Sequence, residues 1–483
     1  RGTYHERIII EKRISLVGES KENTIVIGPA IRDVIYMSAD GVRVSGLTIK
    51  NSGYSYAGPF TGGDAGIRLS QCANCTISSC IITANCLGIF LNSSNNNTIE
   101  NNTVYSNRQD GIYLRLSNSN VIARNTCNLN GGHGGIYLNP SSCTNLVENN
   151  SCCSNADHGI KVQQLSNNNI LKNNRCTNNS EAGIFLRSSN GNVLDSNTCN
   201  LNNAGINIQV SCNDNKLIGN ICTSNDEGIC LTHSSCNNVL VNNTCVGNRA
   251  LGIGMWSSSN NTLIRNMCNL NGELAPGGAG IYFEYSNYGR MYYNTVSGNL
   301  RGIKISENCT GHKINWNNIE GNLMEGVLNE AVSEANATLN WWGDPSGPYH
   351  PELNPSGKGN RVGAGRLEGR TVNILFKPWL EAPIGMRGPA FRVSGLLISP
   401  AEVKIGEAVK ISINVINAGD MTGTFTVTLK VSGSVEATKE LTLSGGESAL
   451  VTFEVAKGVA GTYYVEVNGL TGTFVVRSIV TAP

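Results

Sequence analysis

Short apolar segments separated by polar, turn-forming residues recur along most of this chain. Thr98-Ile99, Thr103-Val104 and Gly111-Ile112-Tyr113-Leu114 each alternate apolar and polar positions over a few residues. This period of two predicts short β-strands, and no segment carries an apolar stripe long enough for a helix to bury. We therefore expect an all-β chain whose strands are joined by tight turns.

The segments form a repeat of 23 to 25 residues between Asn97 and Cys268. Each repeat holds three asparagines five residues apart, and a small residue lies seven residues after the first. The first asparagines of successive repeats are Asn97, Asn120, Asn145, Asn169, Asn192, Asn215, Asn238 and Asn261. A repeat of this length marks a solenoid. Three strands and three turns per circuit predict a right-handed parallel β-helix of about 12–14 rungs, with about 22–25 residues each.

The asparagines have a structural interpretation. Rungs of a β-helix lie about 4.8 Å apart, so equivalent side chains stack into ladders. An asparagine amide can donate to one neighbouring rung and accept from the other, and asparagine tolerates left-handed turn geometry. We interpret the three columns as turn ladders rather than as catalytic groups.

The chain from residue 1 to about 385 resembles the right-handed β-helix family that includes pectate-lyase-like proteins and NosD-type periplasmic repeat proteins. The resemblance rests on Gly2-Thr-Tyr-His-Glu, Leu16-Val-Gly-Glu and the Asn/Gly-Ile repeat. Members normally carry an N-terminal segment that caps the first rung. The resemblance implies that this cap is missing here, and we expect an uncapped rung to be adhesive.

The pattern changes after Asn336. Asn340-Trp-Trp-Gly and Pro378-Trp-Leu follow, and in the resembled family such segments close the C-terminal end of the helix. We favour this capping role over ligand binding. The last part holds about seven short alternating strands, which predict an immunoglobulin-like β-sandwich, and it resembles CARDB-type adhesion modules. The predicted domains are the β-helix at 1–335, its cap at 336–381, a linker at 382–389 and the sandwich at 390–483.

Composition and charge narrow the class of protein. The 483 residues carry a formal charge of +1, which gives no support for nucleic acid or an anionic membrane as partner. No run approaches the ~18 apolar residues of a membrane span. Because the chain begins at Arg1 without Met, we expect a processed chain, located outside the cell or on its surface.

Seventeen cysteines offer two interpretations. Seven fall in one inward column, which predicts buried thiols that act as small apolar residues. Disulfides are the alternative in a secreted chain, and the candidates are Cys72, Cys143, Cys152, Cys153, Cys212 and Cys236. Apart from Cys72-x-x-Cys75, the spacing matches no zinc pattern. We expect no metal and no cofactor.

One face of the predicted helix carries the candidate chemistry. An enzyme acting on uronate polymers needs a cation for the carboxylate, a base and an acid. The candidates are Asp110, His133, Asp157, His158 and Lys161. Aromatic residues of the same outward column would stack on sugar rings; these are Phe90, Tyr113, Tyr137 and Phe185. We favour a solvated face without catalysis over an active site.

Asn-x-Ser/Thr sequons mark candidate glycosylation sites, although the Asn-Asn-Thr turn template generates such sequons by itself. The candidates are Asn74, Asn92, Asn96, Asn101, Asn149, Asn178, Asn242, Asn260, Asn308 and Asn336.

Together these features predict a secreted, non-enzymatic structural protein of a cell surface or an extracellular filament. We expect it to polymerise head to tail through the first rung and the C-terminal sandwich, with surface polysaccharide as a second partner. The alternatives are a polysaccharide lyase or uronate epimerase, and a carbohydrate-binding adhesin. NosD-like copper delivery is disfavoured, because 6 His and 7 Met form no clustered soft-ligand site.

Overall fold

The chain divides into two compact units, Arg1–Ile384 and Gly385–Pro483. Their boundary lies inside the predicted linker at 382–389. The computed structural model describes residues 1–55, 62–273, 275, 277–364, 373–385, 389–419 and 423–478.

The first unit is a parallel β-solenoid, as predicted. Three sheets, named A, B and C, contain 14, 15 and 15 strands within the described residues. Each strand pairs in parallel with the equivalent strand of the next rung, and the chain passes from sheet A to B to C before it returns to A. The solenoid has about 14 rungs, in agreement with the predicted number.

The strands of the solenoid are short, mostly three to six residues. Sheet A contains Gly2–His5, Thr24–Ile27, Thr48–Lys50, Ile81–Thr83, Thr103–Tyr105, Thr126–Asn128, Ser151–Cys153, Arg175–Thr177, Thr198–Asn200, Ile221–Thr223, Thr244–Val246, Met267–Asn269, Thr295–Ser297 and Asn318–Glu320. Sheet B contains Ile8–Ile10, Ile35–Met37, Ala65–Ser70, Leu87–Asn92, Ile112–Arg115, Gly134–Leu138, His158–Gln163, Ala182–Arg187, Ala204–Gln209, Glu227–Thr232, Leu251–Trp256, Ala279–Glu284, Ile303–Ile305, Glu325–Asn329 and Arg361–Ala364. Sheet C contains Ser15–Val17, Arg43–Ser45, Thr76–Ser78, Thr98–Glu100, Val121–Ala123, Leu146–Glu148, Ile170–Lys172, Val193–Asp195, Lys216–Ile218, Val239–Val241, Thr262–Ile264, Arg290–Tyr292, Lys313–Asn315, Ala335–Asn336 and Ile374–Leu375.

The core of the solenoid is a set of inward columns, one residue per strand or two in sheet B. Ile160 and Val162 point inward from one sheet B strand, and Leu171 points inward from the following sheet C strand; all are fully buried. The predicted cysteine column lies inside sheet A and is likewise buried; it comprises Cys127, Cys152, Cys176, Cys199, Cys222, Cys245 and Cys268. Burial raises the pKa of Cys152 and Cys268. These two thiols therefore stay protonated and pack as small apolar side chains.

The asparagine columns are ladders, as predicted. In the middle ladder the Asn174 amide donates to Asn197 Oδ1 at 3.0 Å and to the Val147 carbonyl at 2.8 Å. Its own Oδ1 accepts the backbone N–H and the side-chain amide of Asn150, both at 3.0 Å. This pattern runs from Asn102 to Asn340, and the third ladder runs from Asn85 to Asn360. Each ladder satisfies buried backbone groups at one corner of the rungs that it spans.

The first ladder is shorter. It runs from Asn97 to Asn261, and the next two equivalent positions hold Gly289 and His312. Because Gly289 has no side chain, there is room for the His312 imidazole, which is 3% exposed and packs 4.5 Å from the Phe283 ring. Within the described residues neither ring nitrogen makes a hydrogen bond. Burial lowers the pKa of His312 to about 4.

This buried imidazole predicts an acid-sensitive stability. The unfolded chain takes up a proton on this histidine near pH 6.5, whereas the folded state does so only near pH 4, so stability is lost as the pH falls between these values. The expected loss is on the order of 2 kcal/mol. His312→Asn should remove that part of the acid sensitivity, measured as urea midpoints at pH 7 and pH 4.5. Exposed His233→Asn is the control, and an equal acid-induced loss in His312→Asn and wild type would contradict the assignment.

Aromatic side chains cover the last rung of the solenoid. Trp342 is fully buried and shares the core cluster with Phe376, while Trp379 packs on the Phe376 ring at 6.4 Å. Trp341 donates its ring N–H to Glu320 at 2.8 Å. The tryptophans therefore lie where a cap is needed. Part of the predicted cap, residues 365–372, lies outside the described residues.

The second unit consists of two sheets that are consistent with the predicted β-sandwich. Antiparallel sheet D contains Phe391–Ser399, Ala408–Asn417 and Ser448–Ala456. Sheet E contains Glu402–Lys404, Leu470–Arg477, Gly461–Val467, Gly423–Val431 and Ser434–Leu443. Val409, Ile411, Leu429, Phe453 and Phe474 lie in the core between them. The likeness to CARDB-type modules stays a prediction.

Candidate functional site

The outward column of sheet B carries the candidate residues. In each sheet B strand, the residue between two inward apolar residues points away from the core. Register places Tyr113 beside Tyr137, Tyr137 beside Lys161, and Lys161 beside Phe185, one per rung. The spacing of the sequence therefore brings these residues together.

The aromatic part of this column is not open to a ligand. Phe90 stacks on Tyr113 at 4.9 Å and Tyr113 on Tyr137 at 5.1 Å, and all three rings are fully buried. Gly62 lies against the ring of Phe90, and the Arg68 guanidinium covers that ring at 4.7 Å. Other parts of the chain therefore already occupy these faces, and stacking on sugar stays a prediction.

Phe185 differs little from the other three aromatics. It is nearly buried, and the imidazole of His158 stacks on it at 4.4 Å with the planes 6° apart. Its face is therefore also occupied by the chain.

Asp157, His158 and Lys161 form one cluster at the end of the aromatic column. Lys161 Nζ lies 3.2 Å from Asp157 Oδ2, and His158 Nε2 lies 3.3 Å from Asp157 Oδ1. The ammonium of Lys161 also lies between the rings of Tyr137 and Phe185, at 5.7 and 5.4 Å. A buried cation between two rings and a carboxylate is held in place.

The histidine of this cluster has no free lone pair. His158 Nδ1 accepts the backbone N–H of Ala182 at 3.1 Å, which places the ring proton on Nε2, facing Asp157. Burial lowers the pKa of His158 to about 2, so the ring is neutral. A general base needs a lone pair that reaches the substrate, and the lone pair of this ring already accepts the Ala182 N–H.

The carboxylate is the more accessible member of the cluster. The Asp157 side chain is 29% exposed, and burial raises its pKa against the opposing effect of Lys161. Next to it, His133 stacks on Tyr137 at 5.3 Å and lies 3.7 Å from the buried carboxylate of Asp110. Asp110 in turn accepts the backbone N–H of Gly134 at 2.9 Å.

A second cluster on the same face was missed by the sequence interpretation. The Trp256 ring lies over Gly254, where the outward column has no side chain, and meets Tyr282 edge to face at 5.7 Å. Both rings are only partly buried. Lys304 lies 5.7 Å from the Tyr282 ring and 3.3 Å from Glu330. A gap in the outward column, followed by Trp two residues later, is the signal that would have found it.

The hydroxyl of Tyr282 is fixed within this second cluster. It donates to Glu284 at 3.0 Å and lies 3.1 Å from Ser306 Oγ. Burial raises the pKa of Tyr282 to about 12, so the hydroxyl stays protonated. The cluster combines aromatic edges, hydroxyls, a cation and carboxylates at the surface.

The predicted disulfide cysteines are free thiols in the structure, like all seventeen cysteines. Cys72, Cys152 and Cys212 are buried, whereas Cys143, Cys153 and Cys236 are partly exposed at turns and strand ends. Their pairing stays a prediction.

The candidate glycosylation asparagines lie outside the buried ladders. Asn74, Asn96, Asn101, Asn178, Asn260 and Asn308 are exposed, and Asn92, Asn149, Asn242 and Asn336 are partly buried. Eight of these asparagines, all except Asn92 and Asn336, have positive φ at a turn. Glycosylation stays a prediction at each of them.

Comparisons with known proteins identify the fold. A family model described as a right-handed beta helix region matches residues 33–170. A second, described as periplasmic copper-binding protein (NosD), matches residues 127–249 and 210–347. The solenoid is a right-handed β-helix. No curated protein matches this chain.

Several solved structures align with this chain at low identity. The mannuronan C-5 epimerase AlgE4 A-module of Azotobacter vinelandii aligns at 16% identity and TM-score 0.44, over 55% of this chain and 84% of that one. The periplasmic alginate epimerase AlgG aligns at 13% and 0.41, over 61% and 78%. The catalytic domain of a GH87 α-1,3-glucanase aligns at 13% and 0.41, over 58% and 62%. These likenesses concern the fold alone.

The described residues of the β-helix do not gather the His, Cys, Asp or Glu ligands that a copper site of several ligands would need. Within the described residues, no group of three or more His, Cys, Asp or Glu side chains is placed to hold a metal ion. The inward cysteines are stacked one per rung rather than gathered around a point. A helix long and apolar enough to cross a membrane is also absent from the described part of the chain.

Proposed function

We propose that this chain is an exported, non-catalytic structural protein of a cell surface or an extracellular filament, which associates with copies of itself. The observation that carries this proposal is the continuity of the β-helix. The second and third asparagine ladders run unbroken from Asn102 to Asn340 and from Asn85 to Asn360. A solenoid fixed by hydrogen bonds at two corners over most of its rungs is a rigid element suited to mechanical roles.

The cluster of Asp157, His158 and Lys161 supports the non-catalytic part of the proposal, because its side chains mainly contact one another and neighbouring groups of the chain. Its histidine accepts a backbone N–H with one ring nitrogen and faces Asp157 with the other, and its lysine is enclosed by two rings and a carboxylate. A group that takes or gives a proton in a reaction needs a contact reserved for the substrate. Asp157 alone has substantial exposure, and its exposed oxygens already face Lys161 and His158.

The outer face of sheet C supports self-association. Four consecutive rungs present Val121, Leu146, Ile170 and Val193 in one outward column, and the next rungs present Ile218, Val241, Ile264 and Tyr292 in the other. Ile170 is 44% exposed. Apolar side chains that line up on the outer face of a sheet suit an interface.

Negative charge introduced on the outer face of sheet C should dissociate the assembly. Ile170→Asp combined with Ile264→Asp places two carboxylates on the apolar columns, and we expect the light-scattering mass at high concentration to fall to that of a single chain. The control is Thr198→Asp on the outer face of sheet A, which should assemble like wild type. A wild-type chain that stays monomeric over the whole concentration range would contradict self-association. The head-to-tail contact between the first rung and the C-terminal unit stays a prediction.

The NosD family model supports export, because its description names a periplasmic protein and it matches residues 127–249 and 210–347. An oxidising compartment outside the cytoplasm would also suit the predicted disulfides.

Binding of a saccharide at the second cluster is the alternative function that a specific observation favours. Trp256 and Tyr282 are partly exposed neighbours, with Lys304, Glu330 and Ser306 around them. Partly exposed aromatic rings beside hydrogen-bonding groups are typical of sugar contacts.

Trp256→Ala should weaken saccharide binding by about tenfold or more, which corresponds to the ~1.4 kcal/mol of one lost stacking contact. The measurement is a glycan array followed by titration of the best ligand. Trp316→Ala is the matched control, because Trp316 is exposed at a different corner of the helix. Equal affinity of the Trp256 variant and wild type would exclude this cluster as the binding site.

A further inference from the structure

The first three rungs of sheet C border a groove of about 650 Å³ on the outer face of the β-helix. Register aligns Ser15, Arg43 and Thr76 in one outward column, one residue per rung. Ser15 and Arg43 are exposed, and Thr76 is partly buried. Because short side chains lie on both sides of Arg43, its guanidinium has open space around it.

A second guanidinium reaches the same groove from the preceding corner. Arg13 crosses to the next rung over Gly41, where an added Cβ would lie 3.0 Å from Arg13 Nε and 3.2 Å from its Cδ. Gly41 has φ of 67°, and the equivalent residues of the next two rungs, Asn74 and Asn96, have φ of 56° and 57°. Asparagine tolerates this backbone conformation. The missing side chain of Gly41 therefore serves to admit Arg13.

The two guanidiniums have no anionic partner among the described residues. Neither the Arg13 nor the Arg43 side chain makes an ion pair or donates a hydrogen bond within that part of the chain. By contrast, Lys172 on the outer face of the same sheet lies 3.5 Å from Asp195. Two cations that border one groove repel each other, and an anion bound between them would offset this repulsion.

The remaining polar groups of the groove suit a ligand with several oxygen atoms. The hydroxyls of Ser15 and Thr76 and the amide of Asn74 border the groove as hydrogen-bond donors. Asp40 also borders it, and its Oδ1 accepts the backbone N–H of Ala73 at 2.7 Å. This carboxylate sets one negative charge against two positive charges, and it can accept a hydrogen bond from a hydroxyl of the ligand.

We propose that this groove binds an oxyanion, a phosphate or sulfate group that is either free or carried by a sugar. A guanidinium binds such a group through two parallel N–H donors of fixed geometry, and Arg13 and Arg43 supply two guanidiniums. The inference goes beyond the proposed structural role, which uses the apolar columns of sheet C that begin at Val121.

Equilibrium dialysis of the full chain against radiolabelled inorganic phosphate, and separately against radiolabelled glucose 6-phosphate, tests the proposal. We expect one bound phosphate per chain, displaced by inorganic sulfate. Tighter binding of glucose 6-phosphate by tenfold or more assigns the site to a sugar that carries the anion, and a smaller difference or weaker binding assigns it to the free anion. Absence of binding of both compounds at millimolar concentration would overturn the proposal.

Three variants test whether the groove is the site. Arg13→Gln and Arg43→Gln each remove one guanidinium, and we expect each to weaken phosphate binding by tenfold or more. Arg290→Gln is the matched control, because Arg290 lies in the same outward column, between Thr262 and Lys313, but outside the groove. It removes the same charge and should bind phosphate like wild type.

Unchanged phosphate binding in either groove variant, or an equal loss in Arg290→Gln, would contradict the assignment. All three arginines are exposed, so we expect the variants to fold, which unfolding midpoints equal to that of wild type would verify.

Discussion

Asn174→Ala is expected to lower the free energy of unfolding of the β-helix by about 3 to 6 kcal/mol. The substitution removes an acceptor for the backbone N–H and the amide of Asn150, and a donor for the Val147 carbonyl. These groups are buried in the middle of the ladder, and each unsatisfied group costs about 1–3 kcal/mol. The measurement is the thermal and urea midpoint of the unfolding transition followed by circular dichroism.

Asn178→Ala is the matched control for this substitution. Asn178 is an exposed asparagine of the next corner, with φ of 59° and one side-chain hydrogen bond to Ser154. We expect it to lose about 1 kcal/mol, chiefly through its left-handed backbone conformation. Equal losses for the two variants would show that the ladder hydrogen bonds do not stabilise the solenoid.

Gly205→Ala is expected to be the second most damaging change, at about 3 kcal/mol. Gly205 represents the Gly-Ile signature, and its φ is not in the left-handed region. An added Cβ would lie 2.6 Å from the Gly228 carbonyl oxygen and 2.8 Å from Cys222 Cβ. Neither neighbour can move without displacing a sheet or the core, and overpacking of this kind typically costs 1–3 kcal/mol or more.

Gly247→Ala separates crowding from backbone strain. Gly247 has φ of 64°, and nothing lies within 4 Å of an added Cβ. The equivalent turn position holds Leu201 and Leu270 in other rungs, both with positive φ, so the expected loss is about 1 kcal/mol. A Gly205→Ala chain with the same midpoint as Gly247→Ala would refute the crowding argument.

The repeat allowed most of the β-helix to be predicted, because each rung carries the same types of residue at the same spacing. The five-residue spacing between Asn97, Asn102 and Asn107 places the three at successive corners, where each bonds to its equivalent in the next rung. The inward cysteines followed from the same spacing. The end of the first ladder at Gly289 and His312 was visible in the sequence only as a missing asparagine.

Which outward side chains of sheet B are exposed, and which are covered by other parts of the chain, could not be predicted in the same way. Alternation shows that Tyr113 leaves the core, but it does not show what packs on the other side, and the ring is fully buried. Trp256 was missed because its contact is made along the sheet, over Gly254, rather than across strands of equal register. The lone pair of His158 is occupied by the backbone N–H of Ala182, 24 residues later. No local sequence pattern encodes this contact.

Negative-stain electron microscopy of the purified chain at high concentration tests the structural role most directly. We expect ordered assemblies in which β-helices lie side by side through sheet C, and the Ile170→Asp, Ile264→Asp double variant should dissociate them into single particles. Wild-type images that contain only separate particles at every concentration, together with turnover of a polysaccharide that is lost in Asp157→Asn, would contradict a non-catalytic structural protein.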